Sequence, residues 1–78
     1  AFFALGRARA LQAPVAVVVT SGTAVVETHP AVVEAYYQGE PIVIVSADRP
    51  ASYRGTGAPQ TIDQVRIFGA HATYLELT

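Results

Sequence analysis

VAVVVTSGT, residues 15–23, joins five consecutive residues suited to burial to four small ones that bend or hydrogen-bond. A continuous, β-branched run of this length predicts a strand buried on both faces, as in a parallel sheet with helices on either side. Working outward, PIVIVSA at 41–47 repeats the pattern and predicts a second such strand. Between them the apolar positions Val25, Val26, Val32, Val33, Tyr36 and Tyr37 are spaced as on a helix. The unit is therefore βαβ, an α/β fold with a parallel-sheet core.

The intervening helix is expected to run from about Gly22 to Gln38, kinked near His29 to relieve Pro30. The alternative makes Pro30 the first residue of a second helix, capped by Thr28 or His29. Gly39 supplies a left-handed stop. Residues 1–12 predict a helix that is apolar nearly all round, covered on more than one side and ended by Ala13-Pro14. Residues 47–60, rich in Pro, Gly and Ser, predict a loop. Residues 61–69 predict a short helix with Thr61 as N-cap, and 71–77 a third strand.

At 78 residues the chain forms at most one small domain, and a chain of this size buries only roughly 60% of its unfolded surface. Hydrophobic residues make up 51% and charged residues 14%, a balance that suits an interior piece of a larger protein. The first residue is not Met, and 1–78 is read as a single partial domain. Five Arg and no Lys stand against six carboxylates, so no basic stripe exists for nucleic acid. Without Cys there is no disulfide framework and no thiolate metal site. The apolar runs fall far short of the roughly 20 residues of a membrane-spanning helix, and no signal peptide is expected. A cytoplasmic location is the default.

The carboxyl ends of strands in an open parallel sheet share one edge, where ligands bind. Both TSGT and ADRP, at 47–50, fall at that edge. Gly22 lets the strand turn into the helix, whose first N–H groups are expected to point outward. Ser21 is read either as a helix cap or as a ligand contact. Neither GxGxxG nor GxxxxGK[ST] nor GxSxG is present, which removes the dinucleotide, P-loop and nucleophile-elbow readings. His29 and His71 lack further ligands at metal spacing and are read as structural, with no metal site. Tyr36 and Tyr37 are read as packing residues.

PVAVVVTSGTA, HPAVVEAYYQGEPIVIVSADRP and GAPQTIDQVRIFGAH together resemble the N-terminal pyrimidine-binding domain of the 2-succinyl-5-enolpyruvyl-6-hydroxy-3-cyclohexene-1-carboxylate synthase family of thiamine-diphosphate enzymes. The resemblance covers essentially the whole chain, which would be the middle of that domain, with the diphosphate-binding domain absent. It implies decarboxylation of 2-oxoglutarate and addition of the succinyl carbanion equivalent to isochorismate, in menaquinone biosynthesis. The implied cofactors are thiamine diphosphate and Mg²⁺, whose diphosphate and metal ligands lie elsewhere in the parent protein. The resemblance also implies that the activating glutamate lies upstream, leaving no catalytic residue in this chain.

Residue by residue, the resemblance places Thr20, Ser21, Gly22 and Thr23 against the pyrimidine end of the cofactor. It places Arg49, whose planar fork suits a carboxylate, in the substrate pocket, with ion pairing or carbonyl capping as the structural alternative. Gln60 matches an active-site glutamine, while Pro59 stands where some members carry an asparagine, so that contact does not transfer. Asp63 and Gln64 repeat the family's I-D-Q and are not read as catalytic; a helix N-terminus accounts for the Asp. The partners implied are the rest of the parent chain and a neighbouring subunit of a homodimer or homotetramer. Two alternatives stand beside this reading: another thiamine-diphosphate enzyme, acetolactate synthase-like, and a non-catalytic α/β assembly module.

Overall fold

The computed structural model describes residues 1–53 and 55–77, and the side chain of Ala51 is left aside. Arg54, inside the predicted loop, lies outside the described residues. Helix α1, Phe2–Leu11, is rich in Ala, Leu and Arg, all good helix formers. It ends where Gln12 turns left-handed, at φ 53°, ahead of Pro14. Ala4, Leu5 and Ala8 form its buried stripe, while Phe2, Phe3 and Leu11 are exposed. The expected cover on several sides is thus reduced to one side within this chain.

Strands β1, Val15–Val19, and β2, Ile42–Ser46, pair in parallel with Val15 opposite Ile42 and Val19 opposite Ser46. The βαβ core is present. Alternation of side chains along paired strands puts Val15, Val17, Val19, Ile42 and Ile44 on one half-covered face. The other face carries Ala16, Val18, Val43 and Val45, all exposed, with Val18 at 77%. Burial on both faces, expected from the β-branched runs, is therefore not achieved by the elements of this chain. Helix α1 packs on both strands and on the crossover helix.

That crossover is two helices, not one. Helix α2 spans Thr23–Val26 and α3 spans His29–Gln38, with Pro30 in the first turn of α3. Proline has no N–H to give and its ring crowds the carbonyl four residues back, so a break costs less than an uninterrupted helix. Thr28 precedes α3, as the alternative reading had it, but its side chain caps nothing there. Its buried hydroxyl instead donates to the Val25 carbonyl, 2.6 Å away, and closes the end of α2. Ala31, Val32 and Ala35 form the buried face of α3, and Gly39 stops it at φ 70°.

The C-terminal third departs from expectation. Residues 61–64 have no regular structure, 65–68 form turns, and only a 3₁₀ turn at Gly69–His71 is helical. Local hydrogen bonding outcompetes the short helix: Asp63 Oδ1 accepts from the Val65 N–H at 3.2 Å, and Arg66 adopts φ 51°. Asp63 is thus a turn residue, not a helix N-terminal one. Residues 72–77 form no strand; they run beside β2 across a groove of about 1250 Å³. The alternation breaks between Tyr74 and Leu75, so neither face offers a continuous apolar row, and Leu75 and Leu77 are exposed.

Candidate functional site

Among the described residues three polar ones are buried, and two of them, Ser21 and Gln64, stand at the carboxyl ends of the strands. Buried polar atoms require partners, and here those partners knit three segments together. The Ser21 hydroxyl donates 2.8 Å to the Gln60 carbonyl. The Gly22 N–H donates 2.9 Å to Gln64 Oε1, and Gln64 Nε2 donates 3.0 Å to the Ala47 carbonyl. Ser46 Oγ, at 3.5 Å, is a weaker partner of the same amide. Residues 20–23, 46–49 and 60–64 therefore meet at one edge of the sheet.

Arg49 and Gln60, singled out separately in the sequence, are joined. Arg49 Nη2 donates 2.8 Å to Gln60 Oε1. Among the described residues the buried Arg49 Nε has no hydrogen-bond partner. The Arg49 backbone N–H donates to Asp48 Oδ1 at 2.8 Å, which shapes the chain as it leaves β2. With its oxygen taken by Arg49, Gln60 keeps its Nε2 group as a donor. Gln60 also sits at φ 55°, a left-handed conformation uncommon for a residue with a side chain.

Two expectations about the first turn are corrected by this geometry. Ser21 does not cap a helix: the residue before α2 is Gly22, and the Ser21 hydroxyl reaches across to Gln60. The Gly22 N–H does not point outward, because the Gln64 amide takes it. Thr20 and Thr23 are the exposed members of the turn. Sequence reasoning set Gln64 aside. No local pattern marks it, since neighbouring Val65 is exposed; its burial follows from a two-ended amide that meets both a donor and an acceptor.

The histidines lie apart from this edge. His29 and His71 have ring centroids 6.4 Å apart, with Phe68 beside His29 and Tyr36 and Tyr37 beside His71. His71 belongs to the 3₁₀ turn, not to a strand. This ring cluster fastens the Gly69–His71 turn to α3. Among the described residues no three His, Asp or Glu side chains gather where a metal ion could be held. No helix among them is long and apolar enough to cross a membrane.

Residues 1–67 match the model of the thiamine pyrophosphate enzyme N-terminal TPP binding domain. The chain belongs to this family. Within the TPP enzymes it is similar to curated proteins named 2-succinyl-5-enolpyruvyl-6-hydroxy-3-cyclohexene-1-carboxylate synthase, among them those of three organisms. The one from Akkermansia muciniphila is 57% identical over 99% of this chain and 14% of the relative. The one from Bdellovibrio bacteriovorus is 61% identical over 86% of this chain and 13% of the relative. The one from Halobacterium salinarum is 51% identical over 97% of this chain and 13% of the relative. The chain thus spans about one seventh of the length of the curated relatives it matches.

Residues at the strand edge could hold part of thiamine diphosphate, the compound that the family name calls thiamine pyrophosphate. Exposed Thr20 and Thr23, flanking a turn tied down through Ser21 and Gly22, suit a neutral, hydrogen-bonding heterocycle. The Gly22 N–H, a donor that a diphosphate could otherwise take at this turn, is already bonded to Gln64.

Proposed function

We propose that this chain is part of a thiamine-diphosphate-dependent synthase that decarboxylates 2-oxoglutarate and joins the succinyl unit to isochorismate, in menaquinone biosynthesis. The observation that carries this reading is the identity of 51–61% with synthases of that name over nearly all of the chain. In the same reading Mg²⁺ is held with the diphosphate outside this chain. The parent is a homodimer or homotetramer, it is cytoplasmic, and the activating glutamate lies upstream.

Thiamine diphosphate, when bound, supplies the electron sink for loss of carbon dioxide from the 2-oxo acid. This chain's own residues bind and orient. Thr20 and Thr23 hold the pyrimidine end through hydroxyls and backbone, and Ser21 and Gly22 keep that turn rigid. Arg49 receives a substrate carboxylate on the donors it does not spend on Gln60, with planar geometry that a lysine lacks. Gln60 fixes the guanidinium through Oε1 and offers Nε2 to the substrate. A guanidinium already held in place loses less freedom when the carboxylate arrives.

The test uses the full-length protein with thiamine diphosphate, Mg²⁺ and 2-oxoglutarate, with and without isochorismate. The reading expects carbon dioxide release that isochorismate carries on to a succinylated cyclohexene product. Turnover of pyruvate in place of 2-oxoglutarate would overturn it in favour of an acetolactate synthase-like enzyme. A folded, cofactor-bound protein with no turnover would favour the non-catalytic module.

A further inference from the structure

Gln64 contributes no group to the proposed ligand contacts, yet it is 6% exposed and bonded to both strand ends. Its amide orientation is dictated by its neighbours. The Gly22 N–H can only donate and the Ala47 carbonyl can only accept, so Oε1 must face the first and Nε2 the second. One planar group thereby fixes the distance between the turn after β1 and the segment after β2. Two residues beyond Ala47 stands Arg49, and Gln60 is on Gln64's own segment, bonded to Ser21 and Arg49.

We propose that Gln64 is a positioning residue: its amide clasps the Thr20–Thr23 turn to the Ala47–Arg49 segment and so sets the gap in which ligand is held. This deepens the proposed function and rests on it, since the gap matters to catalysis only if the cofactor's pyrimidine end and the substrate lie there. Gln64 acts through Gly22 and Arg49 and touches neither ligand itself. At this position a hydroxyl is too short to span both partners, and an apolar side chain leaves the buried Gly22 N–H without the acceptor that Gln64 supplies.

Gln64→Glu makes the clasp titratable. The carboxylate still accepts from Gly22, but it repels the Ala47 carbonyl; the protonated acid accepts from one and donates to the other, as the amide does. Burial beside a carbonyl raises the acid's pKa, so the clasp is broken at high pH and re-formed as pH falls. Full-length wild type, Gln64→Glu and Gln64→Leu are compared for thiamine diphosphate affinity by calorimetry, and for backbone hydrogen exchange of residues 20–27 without cofactor, between pH 5.5 and 8.5.

Relative to wild type at the same pH, Gln64→Glu is expected to bind the cofactor about tenfold more weakly at pH 8.5 and to approach wild type at pH 5.5. Its 20–27 segment exchanges faster than wild type at the upper pH and is restored at the lower. Gln64→Leu shows the loss at every pH. Affinity and exchange in Gln64→Glu equal to wild type throughout, or losses in it that ignore pH, would overturn the clasp. Should Gln64→Leu fail to fold, the pH dependence of Gln64→Glu still decides. A wild type without affinity for thiamine diphosphate would sink the proposed function instead, and the exchange comparison would still judge the clasp.

Discussion

A methyl group placed on Gly22 would stand 2.8 Å from Cα of Gln60 and 3.1 Å from its carbonyl oxygen. Two backbones thus touch at the carboxyl edge of the sheet, and the turn after β1 is built against the segment that carries Gln60. Gly22 also lies at φ +84°, where a side chain is strained whatever the space.

Gly22→Ala should therefore lower the unfolding free energy by about 1–3 kcal/mol, the range for strained backbone conformations, and weaken cofactor binding. Gly6 offers the opposite case. It is inside α1 with nothing within 4 Å of an added Cβ, so Gly6→Ala should raise stability by about 0.5–1 kcal/mol. Denaturant midpoints of the two variants in the full-length protein check the pair, and shifts of the same sign would contradict it.

Pro30 separates two accounts of the crossover. Inside one continuous helix, its replacement by Ala would relieve about 3 kcal/mol of strain. In the first turn of α3, where no N–H is needed, Pro30→Ala should instead cost up to about 1 kcal/mol by freeing the unfolded chain. Thermal unfolding reads the sign directly.

Thr28→Val removes the hydroxyl that bonds Val25 while keeping shape. A loss of about 1 kcal/mol is expected, the usual net worth of one such bond. Since the Thr28 hydroxyl bonds Val25 and neither Arg49 nor Gln60, affinity for the 2-oxo acid should stay unchanged, which steady-state kinetics on the same sample would show.

Arg49 and Gln60 act as a unit in the proposed site. Arg49→Ala should raise KM for 2-oxoglutarate about 10- to 100-fold, the scale of a charge-assisted hydrogen bond. Arg49→Lys should recover little of it, because an ammonium cannot hold Gln60 and a carboxylate in one plane. Gln60→Glu would pair more tightly with Arg49 and tie up the guanidinium, so KM should rise there too. Recovery of wild-type kinetics in Arg49→Lys would contradict a planar carboxylate contact.

The strands, their parallel pairing and the crossover were legible because β-branched runs and helical spacing are local signals that the fold only has to keep. VAVVV and IVIVS became β1 and β2 within a residue of expectation. Pro30 carried its ambiguity in the sequence, and tertiary structure chose the break. The segment after residue 60 was misread because its helix-like spacing of Ile62 and Val65 competes with Asp63's carboxylate and with the pull of Gln64 towards Gly22 and Ala47. Those bonds join residues far apart in sequence, where no periodicity reports them. Motif resemblance brought Arg49 and Gln60 to notice separately; only the fold shows one holding the other.

The convergence of residues 20–23, 46–49 and 60–64 on one ligand edge is most directly tested by hydrogen exchange of the full-length protein with and without thiamine diphosphate and Mg²⁺. Cofactor should slow exchange in 20–23 and 60–64 and leave α1, on the body of the sheet, unchanged. Slowing spread evenly over the chain, or absent from both segments while the cofactor is bound, would contradict the placement of the site at this edge.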